Sequence, residues 1–142
     1  MLHFLPRPLT GALSMLLYIL NTLFWSVPIM ILALLKLPPL TRWQSWMTYL
    51  LDACAVSWIS VNNFTTRLFT RIRWHISGLE KLSRKDWYLV LANHQSWADI
   101  LVLQKVFNRK IPFIKFFLKK ELIYVPVIGL CWWALDFPFM KR

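Results

Sequence analysis

Acidic residues are scarce in this chain: six Asp plus Glu stand against 17 Lys plus Arg in 142 residues, a formal net charge of +11 at pH 7. Cysteine is scarcer still, and Cys54 and Cys131 alone cannot staple a small secreted module. Only 16% of residues are charged while 58% are apolar, which excludes a disordered segment. No internal repeat or low-complexity tract occurs. At roughly 100 to 200 residues per domain, the length allows one core plus an appendage. Nine Trp, ten Phe and a mean hydropathy of +0.48 are more than a small soluble protein can bury, so a membrane protein is the first expectation.

The longest absence is of charge itself. Between Arg7 and Lys36 lie 28 residues without one charged side chain, and positions 11–35 within them are apolar enough to span. At about 1.5 Å per residue such a helix crosses a hydrocarbon core of roughly 30 Å with length to spare, the surplus going into tilt or a kink at Pro28. The long apolar run and the lack of an A-x-A site disfavour a signal peptide. A re-entrant hairpin turning between Asn21 and Pro28 is the other reading.

After the breaker LPPLTR, positions 43–66 carry Ser45, Thr48, Asp52, Ser60 and Asn63, with Arg67 beyond, at helical spacing. The opposite face holds Trp43, Trp46, Met47, Leu50, Leu51, Trp58, Ile59 and Phe64, a set suited either to the headgroup boundary or to a packed core. Asp52 opposes full insertion, at about 3 kcal/mol in mid-bilayer. The first 68 residues therefore read as a membrane-docking helical hairpin.

From Arg67 onward there are 14 Lys or Arg against five acids. A basic domain following an apolar anchor favours the cytoplasmic side. It attracts anionic lipid at about 1 kcal/mol per cation, and the attached membrane helix makes lipid phosphate, not nucleic acid, the expected partner. Runs 71–77 and 87–93 are short and β-rich, 97–107 has helical periodicity, 111–117 reads as another strand, a short helix passes through LKKEL, and FPFMK reads as a last strand. This alternation implies an α/β sheet over 69–142.

The chemically informative junction is Asn93-His94-Gln95-Ser96-Trp97-Ala98-Asp99. An imidazole at the carboxyl end of a strand sits where open α/β sheets place ligands. A carboxylate five residues on, one turn into the following helix, can fold back to its ring and fix the tautomer that removes a proton from a hydroxyl. Ser96-x-x-Asp99 is equally the spacing of a capping box, in which Asp99 serves the helix start and His94 is an ordinary loop residue.

NHQSWAD resembles the NHx4D block of the glycerolipid acyltransferase family, and FFLKKELIYVPVIGLCWWALDFPFMKR resembles that family's second block, K-x-E-L, P-x-x-G, then F-x-x-R. The likeness runs from about residue 70 to the end and is nearest to bacterial 1-acyl-glycerol-3-phosphate (lysophosphatidic acid) acyltransferases.

The resemblance implies an acyltransferase α/β domain and acyl transfer without a covalent enzyme intermediate. In it His94 is the general base, Asp99 its orienter, and Asn93 and Ser96 are supporting groups. Lys119, Gly129 and Arg142 match positions that hold the acceptor's phosphate. Lys119 and Lys120 also read as a solvated charge run, Gly129 as a turn residue and Pro126 as a helix start.

The resemblance also implies a fatty acyl donor carried on coenzyme A or acyl carrier protein, a lysophospholipid acceptor, no cofactor and no metal. It further implies a place at the bacterial inner membrane with the α/β domain on the cytoplasmic face. The family's later E-G-T block does not occur in the sequence. The chain therefore also reads as a truncated, inactive membrane-associated fragment that binds anionic lipid or a partner, with only weak hold on an acceptor.

Overall fold

The computed structural model describes residues 6–93 and 95–141. Two long helices, α1 (Arg7–Leu35) and α2 (Thr41–Phe69), form an antiparallel hairpin. Along it lie α3 (Ala98–Phe107), β1 (Leu118–Lys119), a 3₁₀ turn (Lys120–Tyr124), α4 (Ile128–Ala134) and β2 (Phe139–Met140). α1 begins four residues before the expected 11–35, and α2 exceeds the expected 43–66 by two residues at its start and three at its end.

α1 begins with Pro8 in its first turn, where a missing backbone N–H costs nothing. It stops at Lys36 because Pro38 keeps the preceding residue out of the helical region. Its 29 residues extend about 43 Å. It is long and apolar enough to cross a membrane, and only 17% of its most apolar window is buried inside the molecule.

Polar side chains in this apolar hairpin are spent on one seam. Tyr18 and Thr66 share a hydroxyl hydrogen bond of 2.6 Å, and Asn21 Nδ2 donates to Asn62 Oδ1 at 2.8 Å and to the Trp58 carbonyl at 3.0 Å. Trp58 Nε1 in turn donates to Thr22 Oγ1 at 3.2 Å. A buried amide without a partner is costly, so these pairs fix the rotation and register of one helix against the other. Nearer the turn, Trp43 Nε1 donates to the Leu35 carbonyl at 2.7 Å.

The expected apolar face of α2 divides in two. Met47, Leu51 and Ile59 are buried, whereas Trp46 and Phe64 are about two-thirds exposed. The stripe of polar residues does not simply face water either: Ser60 Oγ accepts from Asn108 Nδ2 at 3.0 Å, and Asp52 lies 4.0 Å from Lys115.

The main core forms where the hairpin meets the C-terminal elements. Ile29 and Ala33 of α1 and Leu51 and Ala55 of α2 pack with Leu118, Cys131, Ala134, Leu135 and Phe137. Leu51, at 1% exposure, is the most completely buried large side chain.

The α/β expectation needs correction. Among the described residues the sheet consists of β1 and β2 alone, parallel, with Leu118 opposite Phe139 and Lys119 opposite Met140. Runs 71–77 and 87–93 have no ladder partner, and Trp87, Leu89 and Leu91 are 96, 77 and 86% exposed. Run 111–117 is likewise irregular, and FPFMK contributes only Phe139 and Met140. Alternation and β-propensity describe how side chains would dress a strand. A ladder also needs a second backbone at hydrogen-bonding distance, which is not a local property.

Candidate active site

The 93–99 loop leads into α3, and Asp99 in the first helical turn organises it. Asp99 Oδ2 accepts from the backbone N–H of Gln95 at 2.6 Å and of Ser96 at 2.7 Å, and the Asp99 N–H donates to the Ser96 carbonyl at 3.1 Å. A carboxylate at this end of a helix is favoured by the helix dipole and by the free N–H groups there. The back-reach to the Ser96 N–H is the acidic half of the capping arrangement that Ser96-x-x-Asp99 suggests. His94, directly ahead of the two N–H groups that Asp99 holds, lies outside the described residues. Asn93 and Ser96 are exposed.

α3 rests on α2, with Gln104 buried and the Asn108–Ser60 contact at its end. Lys105 Nζ stands 4.7 Å over the Trp74 ring, tying α3 to the extended segment after the hairpin.

The second set of residues stands elsewhere on the hairpin. β1, β2 and the 3₁₀ turn pack together with α4, and α4 packs on α1. Lys119 is exposed on β1 beside Met140, and Arg142, two residues past Met140, lies outside the described residues. Gly129 is buried and its role is spatial: a Cβ there would stand 2.3 Å from the Ile123 carbonyl oxygen and 2.7 Å from that of Leu122. Its backbone thus packs α4 directly onto the 3₁₀ turn, a closer account than the turn residue the sequence suggested. Pro126 does precede α4, but the helix begins two residues later after Val127 at φ +63°.

Four charged groups that the motif reading does not single out gather between these parts. Asp136 Oδ2 is 2.5 Å from Lys36 Nζ and 3.9 Å from Lys115 Nζ, and Lys115 is 4.0 Å from Asp52 Oδ1. The available signal was scarcity, because an acid between Leu135 and Phe137 interrupts an apolar run in a chain with six acids.

Burial pushes the Asp52 carboxyl above its ordinary 3.8. Lys115 opposes the rise, Asp136 adds to it and Lys36 opposes it. A folded-state pKa above the unfolded one means that the folded chain holds a proton the unfolded chain has released. The stability deficit from charged Asp52 therefore shrinks as pH falls through the folded value toward 3.8. Asp52→Asn is expected to melt at or above the wild-type temperature at neutral pH and to converge with wild type near pH 4. Thermal melts across that range check this, and a melt lower than wild type at neutral pH would contradict it.

Burial also raises the Cys54 and Cys131 thiols, so neither is disposed to act as a thiolate nucleophile. Among the described residues no three His, Cys, Asp or Glu side chains gather as a metal site.

No curated protein and no solved structure matches the chain. Residues 73–142, which carry the 93–99 loop, Lys119 and Gly129, match the family model described as Acyltransferase, which supports an acyltransferase function in general.

Proposed function

We propose that the protein transfers a fatty acyl group from a thioester, acyl-CoA or acyl carrier protein, to the free hydroxyl of a lysophospholipid, with lysophosphatidic acid as the acceptor and phosphatidic acid as the product. His94 removes the hydroxyl proton as the oxygen attacks the thioester carbonyl. A carbon–oxygen bond forms, the carbon–sulfur bond breaks, and the imidazolium returns the proton to the departing thiolate. Asp99 stabilises that imidazolium and orients its ring. Lys119 and Arg142 meet the acceptor's phosphate, for which cationic donors are suited, and Asn93 and Ser96 support the loop.

The observation that carries this reading is the Asp99 carboxylate bound to the Gln95 and Ser96 N–H groups, which restrains the loop immediately after His94. The Acyltransferase match over the same residues supports it. The test is conversion of labelled lysophosphatidic acid by the purified chain in mixed micelles, with each acyl donor in turn. Turnover with neither donor, alongside retained binding to anionic vesicles, would instead favour an inactive lipid-binding fragment.

We infer a place at a membrane surface, the cytoplasmic face of a bacterial inner membrane, and the exposed apolar face of α1 together with the basic domain supports that reading. Phe24, Val27, Ile31 and Leu34 on α1 are all more than half exposed. The chain is therefore expected to stay with membranes through alkaline carbonate, and deletion of residues 1–40 to weaken attachment without abolishing it. Full release of the intact chain by carbonate would refute this placement.

A further inference from the structure

The end of α4 is built against local preference. The Asp136 N–H donates to the Trp133 carbonyl at 3.1 Å and the Phe137 N–H to the Trp132 carbonyl at 3.0 Å, the paired bonds of a Schellman ending. Its left-handed position, usually glycine, is Asp136 at φ +56°. Asp tolerates this conformation better than most residues but still at a cost in backbone energy. An outlier of this kind points to a use for the side chain, and the Asp136 carboxylate does meet two lysines from separate elements.

One is Lys36, which caps α1, and the other is Lys115. Lys115 and Asp136 each stand three residues ahead of Leu118 and Phe139, the first paired residues of the parallel strands. The ionic contact therefore sits in register upstream of both strands, and Lys36 ties that shared entry to the turn end of the hairpin. The Lys36 and Lys115 side chains are 20 and 28% exposed and the Asp136 side chain 52%, so solvent screens the contact in part and from the carboxylate's side.

We propose that Asp136 is a positioning residue: with Lys36 and Lys115 it pins the β1–β2 pair to the hairpin and so sets where Lys119 stands. The consequence for the reaction rests on the reading of Lys119 as an acceptor contact, while the pin itself does not. An isolated exposed pair adds little to global stability. The pin is accordingly expected to govern local order at β1 more than the melting temperature.

Trypsin cleaves after Lys119 and Lys120, and the rate of that cleavage reports β1 without any acyl transfer. In the full chain in micelles, Asp136→Asn and Lys36→Met are each expected to accelerate it by about tenfold, the equivalent of one charge-assisted contact. Lys36→Arg should keep the wild-type rate. Asp136→Gly separates the two roles of the residue, because it relieves the left-handed conformation and should melt no lower than wild type while cleaving as fast as Asp136→Asn.

The same variants are expected to raise KM for lysophosphatidic acid with little change in kcat. Wild-type cleavage rates in Asp136→Asn, Asp136→Gly and Lys36→Met would overturn the pin. Accelerated cleavage with unchanged KM, or in a chain without turnover, supports the pin and counts against the acceptor or acyltransferase reading instead.

Discussion

Replacing His94 by Ala is expected to lower acyl transfer by about 100- to 10,000-fold, the typical contribution of a positioned general base. Acceptor and donor affinity should change little, because the imidazole acts on a proton whose transfer belongs to the transition state. Asp99 gives the sharper comparison. Its Oδ2 holds two backbone N–H groups, and the carbonyl oxygen of an Asn can accept from the same two donors. Asp99→Asn is thus expected to keep the loop and the start of α3 while losing the negative charge that stabilises an imidazolium. Turnover should fall with no large change in melting temperature. If Asp99 serves only as a cap, Asp99→Ala should cost about 1 kcal/mol of stability and leave activity at both Asp99 variants near wild type. Parallel melts and rate measurements on the three variants distinguish these outcomes.

Gly129→Ala should be the most destabilising single-methyl change among glycines. The added carbon meets backbone atoms of Ile123 and Leu122, which cannot rotate aside as a side chain would. Relief requires α4 to move off the 3₁₀ turn, which carries Cys131, Ala134 and Leu135 out of their packing with Ile29 and Ala33. Overpacking of this kind costs about 3 kcal/mol at its upper range, or a fall in melting temperature of roughly 6 to 12 °C for a chain of this size. Gly11→Ala is the control: it sits inside α1 with open space around the new carbon, and Ala is the better helix former by about 1 kcal/mol. Calorimetry in the same detergent should separate the two glycines clearly, and equal melting temperatures would show that α4 does not need its close approach.

The helices were legible because their signals are local. An uncharged run ended by Lys36 and Pro38, and polar residues recurring at helical steps, are written within one element's length. The capping role of Asp99 was legible from its distance to Ser96 for the same reason. The sheet was not, since segment 87–93 has the alternation of a strand and no partner backbone. Position 94 is the residue on which the sequence motif turns, and the described geometry belongs to its neighbours. The ionic cluster was illegible because Lys36 and Asp136 are 100 residues apart. Nothing in either segment announces the other, and only the packing of α4 on α1 brings them together. Gly129 lay between these cases: the motif marked the residue, but the carbonyl groups that exclude a side chain belong to the preceding turn.

The contact between Lys36 and Asp136 also bears on sidedness. The C-terminal half leaves the hairpin at Phe69, at its open end, and through Asp136 it returns to touch the turn at the other end. Were α1 to cross a hydrocarbon layer of about 30 Å, these two ends would face opposite compartments, and one small domain would have to be present in both. A hairpin lying within a single leaflet satisfies both contacts at once. Its turn and its open end then share one aqueous phase, and the apolar side chains left to meet lipid include Phe24, Val27 and Ile31 of α1 and Trp46 and Phe64 of α2.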